Sequence, residues 1–554
     1  MAASARVPQV HSEEYRHQLA KDLRRVGATA GLLSLAAFLY YFRTGQVLLY
    51  GDAVAHIHIA RRLFDSLTPG IRNLGSVWLP ASHLLTAPLV VNDWMWRSGV
   101  GGSIVSMLSY VAGCVGMFRL VRQFGRRSGA WVATAVFALN ANVLYMQSTA
   151  MAELLYLAAL IWSAVYAAEF LNQIWTVPLD GRRLRSIAVK CAAALWLAMW
   201  TRYDGWFQTG ATVVLLPILV ITGSGRLTIG LTLKKVWRST WPAWVLLAAA
   251  PAIWLGYNTV VFGNALEFWN GPYSARAIQQ RTGKPGEMHP GYHDMRVAFI
   301  FFDKCAKEDL AQGHLGGVAL ALSVAGLAMA LFRGRASWVV SLLWAPLLFY
   351  TLSIAYGGVP IFMPFWRPWG WYNVRYGMQL LPAMAVGMGL VAQWASFRFG
   401  EPNRRYFIYA VLVAVALLTV REWSLVPLTL QEARHNARTR MMFEAKLARQ
   451  LGPFKGQRMM MYTSDYAGAL QRAGIHERNV VNESNWQLWQ KALRNPAAGA
   501  AVVVAIGDDP VAEAVRLHPG GLRRVSVFES EEKPRTIIYT STIYASTHGD
   551  EVRR

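Results

Sequence analysis

The chain has 554 residues, of which 54% are hydrophobic and only 16% are charged, and its mean hydropathy is +0.26. A soluble protein of this length carries nearer a quarter of charged residues, so the composition excludes an ordinary soluble enzyme and indicates a polytopic membrane protein. The net charge of +24 would by itself also suit a nucleic-acid partner. The three cysteines are far apart and fit neither a metal site nor a disulfide framework.

Eleven apolar segments come close to the length of about 20 residues that a helix needs to cross a bilayer. Their approximate limits are 26–50, 99–118, 129–147, 150–171, 187–202, 205–223, 241–262, 315–332, 338–357, 376–396 and 406–424. The first segment is too long for a cleavable signal peptide, and further spans follow it. The sequence therefore predicts a mainly α-helical bundle of transmembrane spans over residues 26–425.

Every second connection between the predicted spans is short and basic, as cytoplasmic loops are. Examples are RLVRQFGRR after the second span, DGRRLRS after the fourth and FRFGEPNRR after the tenth. The basic excess is therefore partly a signal of topology, and no nucleic-acid partner is expected. Residues 1–25 are predicted to be cytoplasmic, whereas the loop 51–98, two later aromatic loops and residues 426–554 are predicted to lie outside.

Residues 426–554 differ in pattern from the rest of the chain. QEARHNARTRMMFEAKLARQ is predicted to form a basic amphipathic helix, of a kind that can lie along a membrane surface. RMMMYTSD, AAVVVAIG, VSVFES and RTIIYTST have the pattern of strands, and NWQLWQKALRNP has that of a helix. These segments predict a small extracytoplasmic α/β domain, in which GDDP is interpreted as a turn at a strand end.

Three carboxylates lie near the outer ends of predicted spans. Asp52 follows the first span in YGDAVAHIHIARR, and a helix would place His56 on the same face. Glu153 is expected about one turn inside the fourth span, where a carboxylate is costly unless it is paired or faces water. The alternative for Glu153 is a helix-start charge with support from the helix dipole. Asp204 shares the turn TRYDGW with Arg202, and the two could simply pair.

Two outer loops combine aromatic and polar side chains. The loop 257–280 carries side chains that suit a sugar ring, which has apolar faces and polar edges. They are Asn258, Glu267, Asn270, Tyr273 and Arg276. The alternative is an amphipathic loop at the membrane interface.

The second aromatic loop ends at Arg375, where a late span begins. A guanidinium at a membrane boundary suits a phosphate head group, because it stays charged and binds in a bidentate manner. Tyr372, Asn373 and Tyr376 crowd the same place. The alternative is an arginine that extends its charge from an apolar span to the interface.

In these stretches the chain resembles the GT-C-fold integral membrane glycosyltransferases, which use polyprenyl-phosphate-linked sugars, and among them the bacterial glycosyltransferase family 39. Gly51-Asp52 resembles the start of the first outer loop in that class, and Glu153 resembles its second acid. NVRYGMQLLP resembles the Asn-x-Arg-Tyr stretch that opens a late span. TRYDGW and NGPYSARAIQQ are also similar to stretches of bacterial members. The resemblance covers residues 1–425.

The resemblance implies transfer of a sugar from a polyprenyl-phosphate donor to a glycan, lipid or protein acceptor on the outer face, with inversion. Asp52 is expected to act as the general base with help from His56, and Glu153 to belong to the same catalytic set. Many relatives carry paired acids in the first loop, whereas Ala53 follows Asp52 here. A divalent cation, Mg²⁺ or Mn²⁺, held by Asp52 and Glu153 is left open.

The same resemblance implies that Arg375 holds the donor phosphate, with Tyr376 or Arg202 assisting. The other residues expected to bind the donor phosphate or its sugar are Tyr372, Asn373, Asp204, Tyr273 and Asn270. Beside Asp52, Arg61 and Arg62 are interpreted as contacts to the interface or to lipid head groups. His58 is expected to face away from His56, and His83 either lines the loop or is structural.

Two other classes of function share some of these features. A lipid-linked glycan transporter or flippase would also have many spans and an arginine for phosphate, but it needs polar groups on both faces of the membrane. A non-enzymatic assembly or sensor protein would leave the buried acid unexplained. Short loops and a lone glycosylation-type triplet at Asn482 favour a bacterial inner membrane.

Overall fold

The computed structural model describes residues 13–174, 180–223, 229–274, 277, 288–530 and 533–547. Most of them are helical. The α-helices of eight or more residues are α1 Glu13–Arg43, α2 Gly51–Arg62, α3 Val100–Val121, α4 Arg127–Ala138, α5 Glu153–Ile174, α6 Gly181–Thr201, α7 Asp204–Gly223, α8 Ile229–Phe262, α9 Met295–Leu310, α10 His314–Arg333, α11 Ala345–Tyr356, α12 Leu381–Ser396, α13 Asn403–Ser424, α14 Leu428–Leu451, α15 Trp486–Arg494 and α16 Pro510–Leu517.

Shorter elements connect these helices. The short α-helices are Ala81–Thr86, Asp93–Ser98, Ala141–Met146, Glu267–Asn270, Ala467–Ala473, Pro496–Gly499 and Thr542–Thr547. The 3₁₀ helices are Ile71–Leu74, Arg335–Trp344, Val374–Leu380, Gly452–Phe454, Glu477–Asn479 and Glu483–Asn485. The strands are β1 Met459–Met461, β2 Val480–Val481, β3 Val502–Ile506, β4 Leu522–Ser530 and β5 Lys533–Ser541.

The chain divides into two compact units. Unit one comprises Met1–Gly45, Ser76–Ala81 and Val105–Glu432. Unit two comprises Gln46–Gly75, Ser82–Ile104 and Ala433–Arg554. Helix α2 with its loop therefore belongs to the same unit as the C-terminal strands.

Unit one is a bundle of apolar helices. Ten helical stretches among the described residues, nearly all of them in this unit, are long and apolar enough to cross a membrane. This confirms the predicted helical bundle of an integral membrane protein. The predicted third span, 129–147, is divided between α4 and the short helix Ala141–Met146, because the Asn140 side chain accepts the backbone N–H of Val143 and starts a new helix. The first span ends at Arg43 and not at residue 50.

Small residues allow the helices of unit one to pack closely. A Cβ atom at Gly326 of α10 would lie 2.1 Å from the carbonyl oxygen of Gly387 of α12. On the same helix, a Cβ at Gly389 would lie 2.6 Å from the carbonyl oxygen of Gly129 of α4. Backbone contacts of this kind are typical of transmembrane helices, whose association depends on close packing.

Unit two contains a five-stranded sheet in the order β2-β1-β3-β5-β4. Strands β2, β1 and β3 are parallel, and β5 runs antiparallel to β3 and β4. The four segments predicted as strands are strands, and NWQLWQKALRNP contains α15. GDDP forms the predicted turn after β3, where the Asp509 side chain accepts the backbone N–H of Ala512 at 2.7 Å and caps α16.

The amphipathic segment after residue 430 does form a helix, α14, but the expectation that it lies along a membrane surface is wrong. Phe443, Leu447 and Leu451 belong to the hydrophobic core that includes strands β1 and β3. The apolar face of the helix is therefore buried against the sheet of its own unit.

Candidate active site

Six side chains of unit one meet in a network of ion pairs and ring contacts, which we call the arginine cluster. Its members are Glu153, Arg202, Asp204, Tyr350, Arg375 and Tyr376. They come from the starts of α5 and α7, the turn before α7, helix α11 and the 3₁₀ helix Val374–Leu380. The sequence named all of them except Tyr350.

Glu153 links the two arginines. Its Oε1 atom accepts from Nη1 of Arg202 at 3.1 Å and from Nε of Arg375 at 3.0 Å, and the side chain is only 1% exposed. Helix α5 begins at this residue, so the expectation that Glu153 lies one turn inside its helix is wrong. One buried carboxylate thus pairs with two guanidinium groups and reduces the repulsion between them.

Arg202 lies in the tight turn between α6 and α7. Its Nε lies 3.2 Å from both carboxylate oxygens of Asp204, and its Nη2 donates to the Tyr350 hydroxyl at 3.0 Å. That hydroxyl donates in turn to Asp204 Oδ2 at 2.7 Å. The turn is tight because Gly205 faces the backbone of Ala198, where a Cβ would lie at 2.3 Å. All three nitrogens of Arg202 therefore bind protein acceptors, and the predicted Arg202–Asp204 pair is present.

The ring of Tyr376 contacts both guanidinium groups. Its centroid lies 4.7 Å from Cζ of Arg202 and 5.0 Å from Cζ of Arg375. Cations at this distance from an aromatic ring are attracted by its quadrupole. The ring of Tyr350 lies 5.3 Å from that of Tyr376, so the two tyrosines form the aromatic side of the cluster.

A further carboxylate approaches Arg375 in unit one. Nη1 of Arg375 lies 3.7 Å from Oε1 of Glu432, whose side chain is 1% exposed. Glu432 has no distinguishing pattern in the sequence, because it lies in a helix rich in surface-type charges. Tyr350 has none either, because it is a tyrosine within an apolar span.

Two of the residues expected to bind the donor also shape the loop before Arg375, and their donor contacts stay predictions. Asn373 has a φ of 57°, and its side-chain amide donates to the carbonyl of Pro360 at 3.0 Å. Tyr372 forms an isolated antiparallel bridge with Phe362, and its side chain is 44% exposed. Both residues serve the backbone turn that leads into the 3₁₀ helix.

The loop after α8 has its own polar turn. Oδ1 of Asn270 accepts from the side chain of Asn264 at 2.7 Å, and Oε2 of Glu267 accepts from the same amide at 3.0 Å. Tyr273 is exposed, and Arg276 lies outside the described residues. Phe268 of this loop stacks on Tyr203, the residue after Arg202, with ring centroids 5.0 Å apart. Asn258 is buried in α8, and its side-chain nitrogen donates to the carbonyl of Trp254.

In unit two, Asp52 lies in the first turn of α2, which is the helix that the sequence predicted. His56, one turn later, is buried, and its Nδ1 lies 2.7 Å from Nε2 of His83. Burial and the neighbouring His56 hold the pKa of His83 well below its usual value. The two rings therefore share one N–H···N hydrogen bond with His83 neutral.

The other side of α2 carries a buried ion pair. His58 Nδ1 and Arg62 Nε bind the two carboxylate oxygens of Glu477, which is fully buried. Burial alone would raise the pKa of Glu477, but the charges of Arg62 and His58 outweigh it and hold the pKa below its usual value. His58 thus faces away from His56 as expected, whereas the interpretation of Arg62 as a lipid contact is wrong.

Arg61 is also buried, so its interpretation as an interfacial residue is wrong. Its Nε donates to Asp65 Oδ2 at 2.7 Å, and Nη2 donates to Asp93 Oδ1 at 2.6 Å. Nη1 donates to the carbonyl oxygens of Val90 and Val91. These contacts fasten the end of α2 to the rest of its loop.

We expect Glu477→Gln to destabilise unit two at neutral pH, because breaking a buried ion pair costs about 3–5 kcal/mol. The pKa of Glu477 is lowered in the folded state, so the carboxylate stabilises the protein above its unfolded pKa of about 4.5, and this contribution is lost as the pH falls further. The loss should appear in thermal unfolding at pH 7 and should shrink only when the pH falls below about 4.5. Glu529→Gln, at a carboxylate that is 74% exposed, is the control. Equal unfolding temperatures for the two variants at pH 7 would contradict this role.

No group of three or more His, Cys, Asp and Glu side chains that could hold a metal ion occurs in the part of the chain that the structure describes. Within unit one, Glu153 and Asp204 are both bound by Arg202. A divalent cation on Asp52 and Glu153 stays a prediction.

Solved structures similar to this chain identify its fold. ArnT from Cupriavidus metallidurans in the apo state matches with a TM-score of 0.54 and 13% identity over 92% of this chain and 98% of that one. The same protein bound to undecaprenyl phosphate matches with a TM-score of 0.51 and 15% identity over 92% and 97%. This chain has the GT-C fold. The GT-C resemblance in the sequence is thereby confirmed for the architecture of the whole chain.

Other comparisons add little to the GT-C assignment. The oligosaccharyltransferase of Archaeoglobus fulgidus in the apo form has a TM-score of 0.47 and 11% identity over 87% of this chain and 69% of that one. No protein-family model and no curated protein sequence matches the chain. At these identities the structural likeness establishes the GT-C fold alone, so the activity has to be argued from the site.

Proposed function

We propose that this GT-C protein is a membrane glycosyltransferase that moves a sugar from a polyprenyl-phosphate-linked donor to an acceptor. The arginine cluster carries the proposal, because it concentrates two guanidinium groups at the ends of apolar spans. A lipid-linked phosphate lies at the boundary of the membrane, where such groups bind it best. The likeness to ArnT bound to undecaprenyl phosphate supports this choice of donor.

The contacts of the two arginines suggest different tasks. Arg202 donates from all three of its nitrogens to Glu153, Asp204 and Tyr350, which makes it a fixed part of the site. Arg375 is oriented through its Nε by Glu153 and lies near Glu432 through its Nη1. It opens the late span in the NVRY stretch, and we assign the donor phosphate to this guanidinium. Glu153 is then a positioning residue that sets the angle of Arg375 against the fixed Arg202.

The proposed reaction is a single displacement that inverts the anomeric carbon. The acceptor oxygen forms a bond to the anomeric carbon while the bond between that carbon and the phosphate oxygen breaks. Polyprenyl phosphate leaves with the electron pair of the broken bond. Asp52 takes the proton of the acceptor hydroxyl, and His56 assists it. Arg375 stabilises the negative charge that develops on the departing phosphate.

The remaining parts of the proposal come from the sequence. The reaction would take place on the outer face of a bacterial inner membrane, with the N-terminus in the cytoplasm. The sugar would be a hexose or pentose and the acceptor a glycan, a lipid or a protein. The alternative function is a flippase for lipid-linked glycans, which the predicted restriction of the candidate residues to one side disfavours.

We expect Arg375→Ala to raise the KM for the donor about tenfold to a hundredfold, because a charged hydrogen bond contributes about 1.5–3 kcal/mol. The KM for the acceptor should change little. The measurement uses purified protein, radiolabelled polyprenyl-phosphate sugars and membrane extract as the source of acceptor. Arg405→Ala is the control, because this arginine of unit one is 76% exposed.

The same assay separates the candidate functions. Label that moves into a new product indicates a transferase, whereas label that only changes leaflet in reconstituted vesicles indicates a flippase. An increase confined to the acceptor KM in Arg375→Ala would reject the phosphate role.

A further inference from the structure

The 3₁₀ helix that carries Arg375 packs unusually closely on α9. A Cβ atom at Gly377 would lie 2.7 Å from both the carbonyl carbon and the carbonyl oxygen of Cys305, and 2.5 Å from Oδ2 of Asp309. Real Cβ atoms do not approach other atoms this closely, so any side chain here would push the two elements apart. Glycine at position 377 therefore fixes the distance between Arg375 and α9.

Two side chains of α9, one turn apart, contact the backbone of this 3₁₀ helix. The thiol of Cys305 donates to the carbonyl oxygen of Val374 at 2.8 Å, and its sulfur lies 3.9 Å from Oδ2 of Asp309. That Oδ2 atom faces Gly377, where a Cβ atom would lie only 2.5 Å away. These contacts hold the backbone immediately before Arg375 and two residues after it.

The end of α9 is itself held in place. The backbone carbonyl of Asp309 accepts from the side-chain amides of Asn140 at 2.8 Å and Asn142 at 2.9 Å. Oδ1 of Asn142 also accepts from the backbone N–H and the hydroxyl of Thr429, both at 2.9 Å. The break between α4 and the next helix thus provides the amides that anchor Asp309.

We propose that Cys305, Asp309 and Gly377 form a backbone clamp that positions Arg375 for the donor phosphate. The three are positioning residues, since they act through the backbone and not on the substrate. This inference rests on the proposed function, which supplies the phosphate, and it adds the element that holds the guanidinium in place.

The state of Asp309 fits this role. The side chain is 1% exposed, and its Oδ1 has no hydrogen-bond partner among the described residues. Burial, with the negative charges of Glu432 and Glu308, holds the pKa of Asp309 well above its usual value. A neutral carboxyl group can pack against Gly377 without competing with the donor phosphate for the charge of Arg375. Asp309 therefore holds the backbone and is not another counter-ion.

Conservative and truncating variants test the clamp. Cys305→Ser and Asp309→Asn keep a donor or acceptor at each contact, whereas Cys305→Ala and Asp309→Ala remove it. We expect the alanine variants to weaken binding of undecaprenyl phosphate and to raise the donor KM about tenfold, with the acceptor KM unchanged. The donor KM of the conservative variants should stay within about twofold of the wild-type value, because at each position only the alanine variant loses a hydrogen bond.

Cys191 offers a matched control. It is a buried cysteine on α6 whose thiol lies 3.5 Å from the carbonyl oxygen of Ser163. Cys191→Ala removes a similar group elsewhere in the same unit, so it should leave donor binding unchanged. Equal donor KM values in Cys305→Ala and Cys191→Ala would overturn the proposal, as would a serine variant that loses as much as the alanine variant.

Hydrogen exchange separates failure of the clamp from failure of the proposed function. Cys305→Ala should speed exchange of the amides of the 3₁₀ helix Val374–Leu380 in the full-length protein, and Cys305→Ser should not. Faster exchange without weaker binding of undecaprenyl phosphate would overturn the positioning role. An absence of transfer in the wild type, with faster exchange and weaker phosphate binding in Cys305→Ala, would reject the glycosyltransferase and support the clamp.

Discussion

Asp52→Asn is expected to abolish sugar transfer while the protein still inserts, folds and binds undecaprenyl phosphate. A positioned general base contributes about 10²–10⁴-fold to a rate, and an amide cannot take the acceptor proton. The fold should tolerate the change, because asparagine is close to aspartate in shape and Asp52 lies in the first turn of α2. The interaction of its charge with the helix N-terminus contributes about 0.3–1 kcal/mol.

The control for Asp52→Asn is Asp508→Asn, at a carboxylate of unit two that is 93% exposed. Both variants should be purified in equal yield and unfold at temperatures close to that of the wild type. Transfer should persist only in Asp508→Asn. Full activity of the Asp52 variant would exclude it as the base, and a parallel loss of donor binding would mean that the residue acts on the donor instead.

The arginine cluster shows what a single sequence can predict about such a site. Glu153, Arg202 and Arg375 are charges at the ends of apolar spans, and a membrane protein keeps such charges only when they are paired or functional. The sequence could therefore single them out without any coordinates. It could not predict that Glu153 joins the two arginines, because residues 153 and 375 are 222 positions apart.

Long-range pairing also explains why Arg61 and Arg62 of α2 were wrongly interpreted as contacts to the membrane interface. Arg61 and Arg62 follow a predicted span, and such arginines often extend to the interface. Their position alone cannot reveal that Glu477, 415 residues later, binds Arg62 in a buried site. Helix α14 was misinterpreted for a related reason, since an amphipathic pattern fits a membrane surface and a domain core equally well.

Asn373 shows that a sequence motif does not reveal the role of each residue within it. Its place in NVRY beside Arg375 suggested a contact with the donor, but its left-handed backbone and its bond to Pro360 give it a task in the turn. Asparagine tolerates this conformation better than most residues, so the motif serves the backbone at Asn373 and charge chemistry at Arg375. A short motif thus marks a functional region without assigning the same role to each residue.

Glu153→Gln is expected to lower both activity and stability, because it removes the one carboxylate shared by two arginines. Breaking a buried ion pair costs about 3–5 kcal/mol, and here Arg202 and Arg375 would both lose a charged partner while both remain in contact with the Tyr376 ring. The amide is close to the carboxylate in shape, so the effect reports charge and not volume. Thermal unfolding and donor KM should both change.

The same helix provides the control for Glu153→Gln. Glu169 of α5 pairs with Arg119 at 2.6 Å, but both side chains are partly exposed, so this pair should contribute only about 0–1 kcal/mol. Glu169→Gln should therefore leave unfolding and donor KM nearly unchanged. Equal unfolding temperatures for the two variants would show that the shared carboxylate does not hold the arginines together. A large loss of stability with an unchanged donor KM would mean that Glu153 stabilises the fold but does not orient Arg375. The orientation of Arg375 would then depend on the α9 clamp alone.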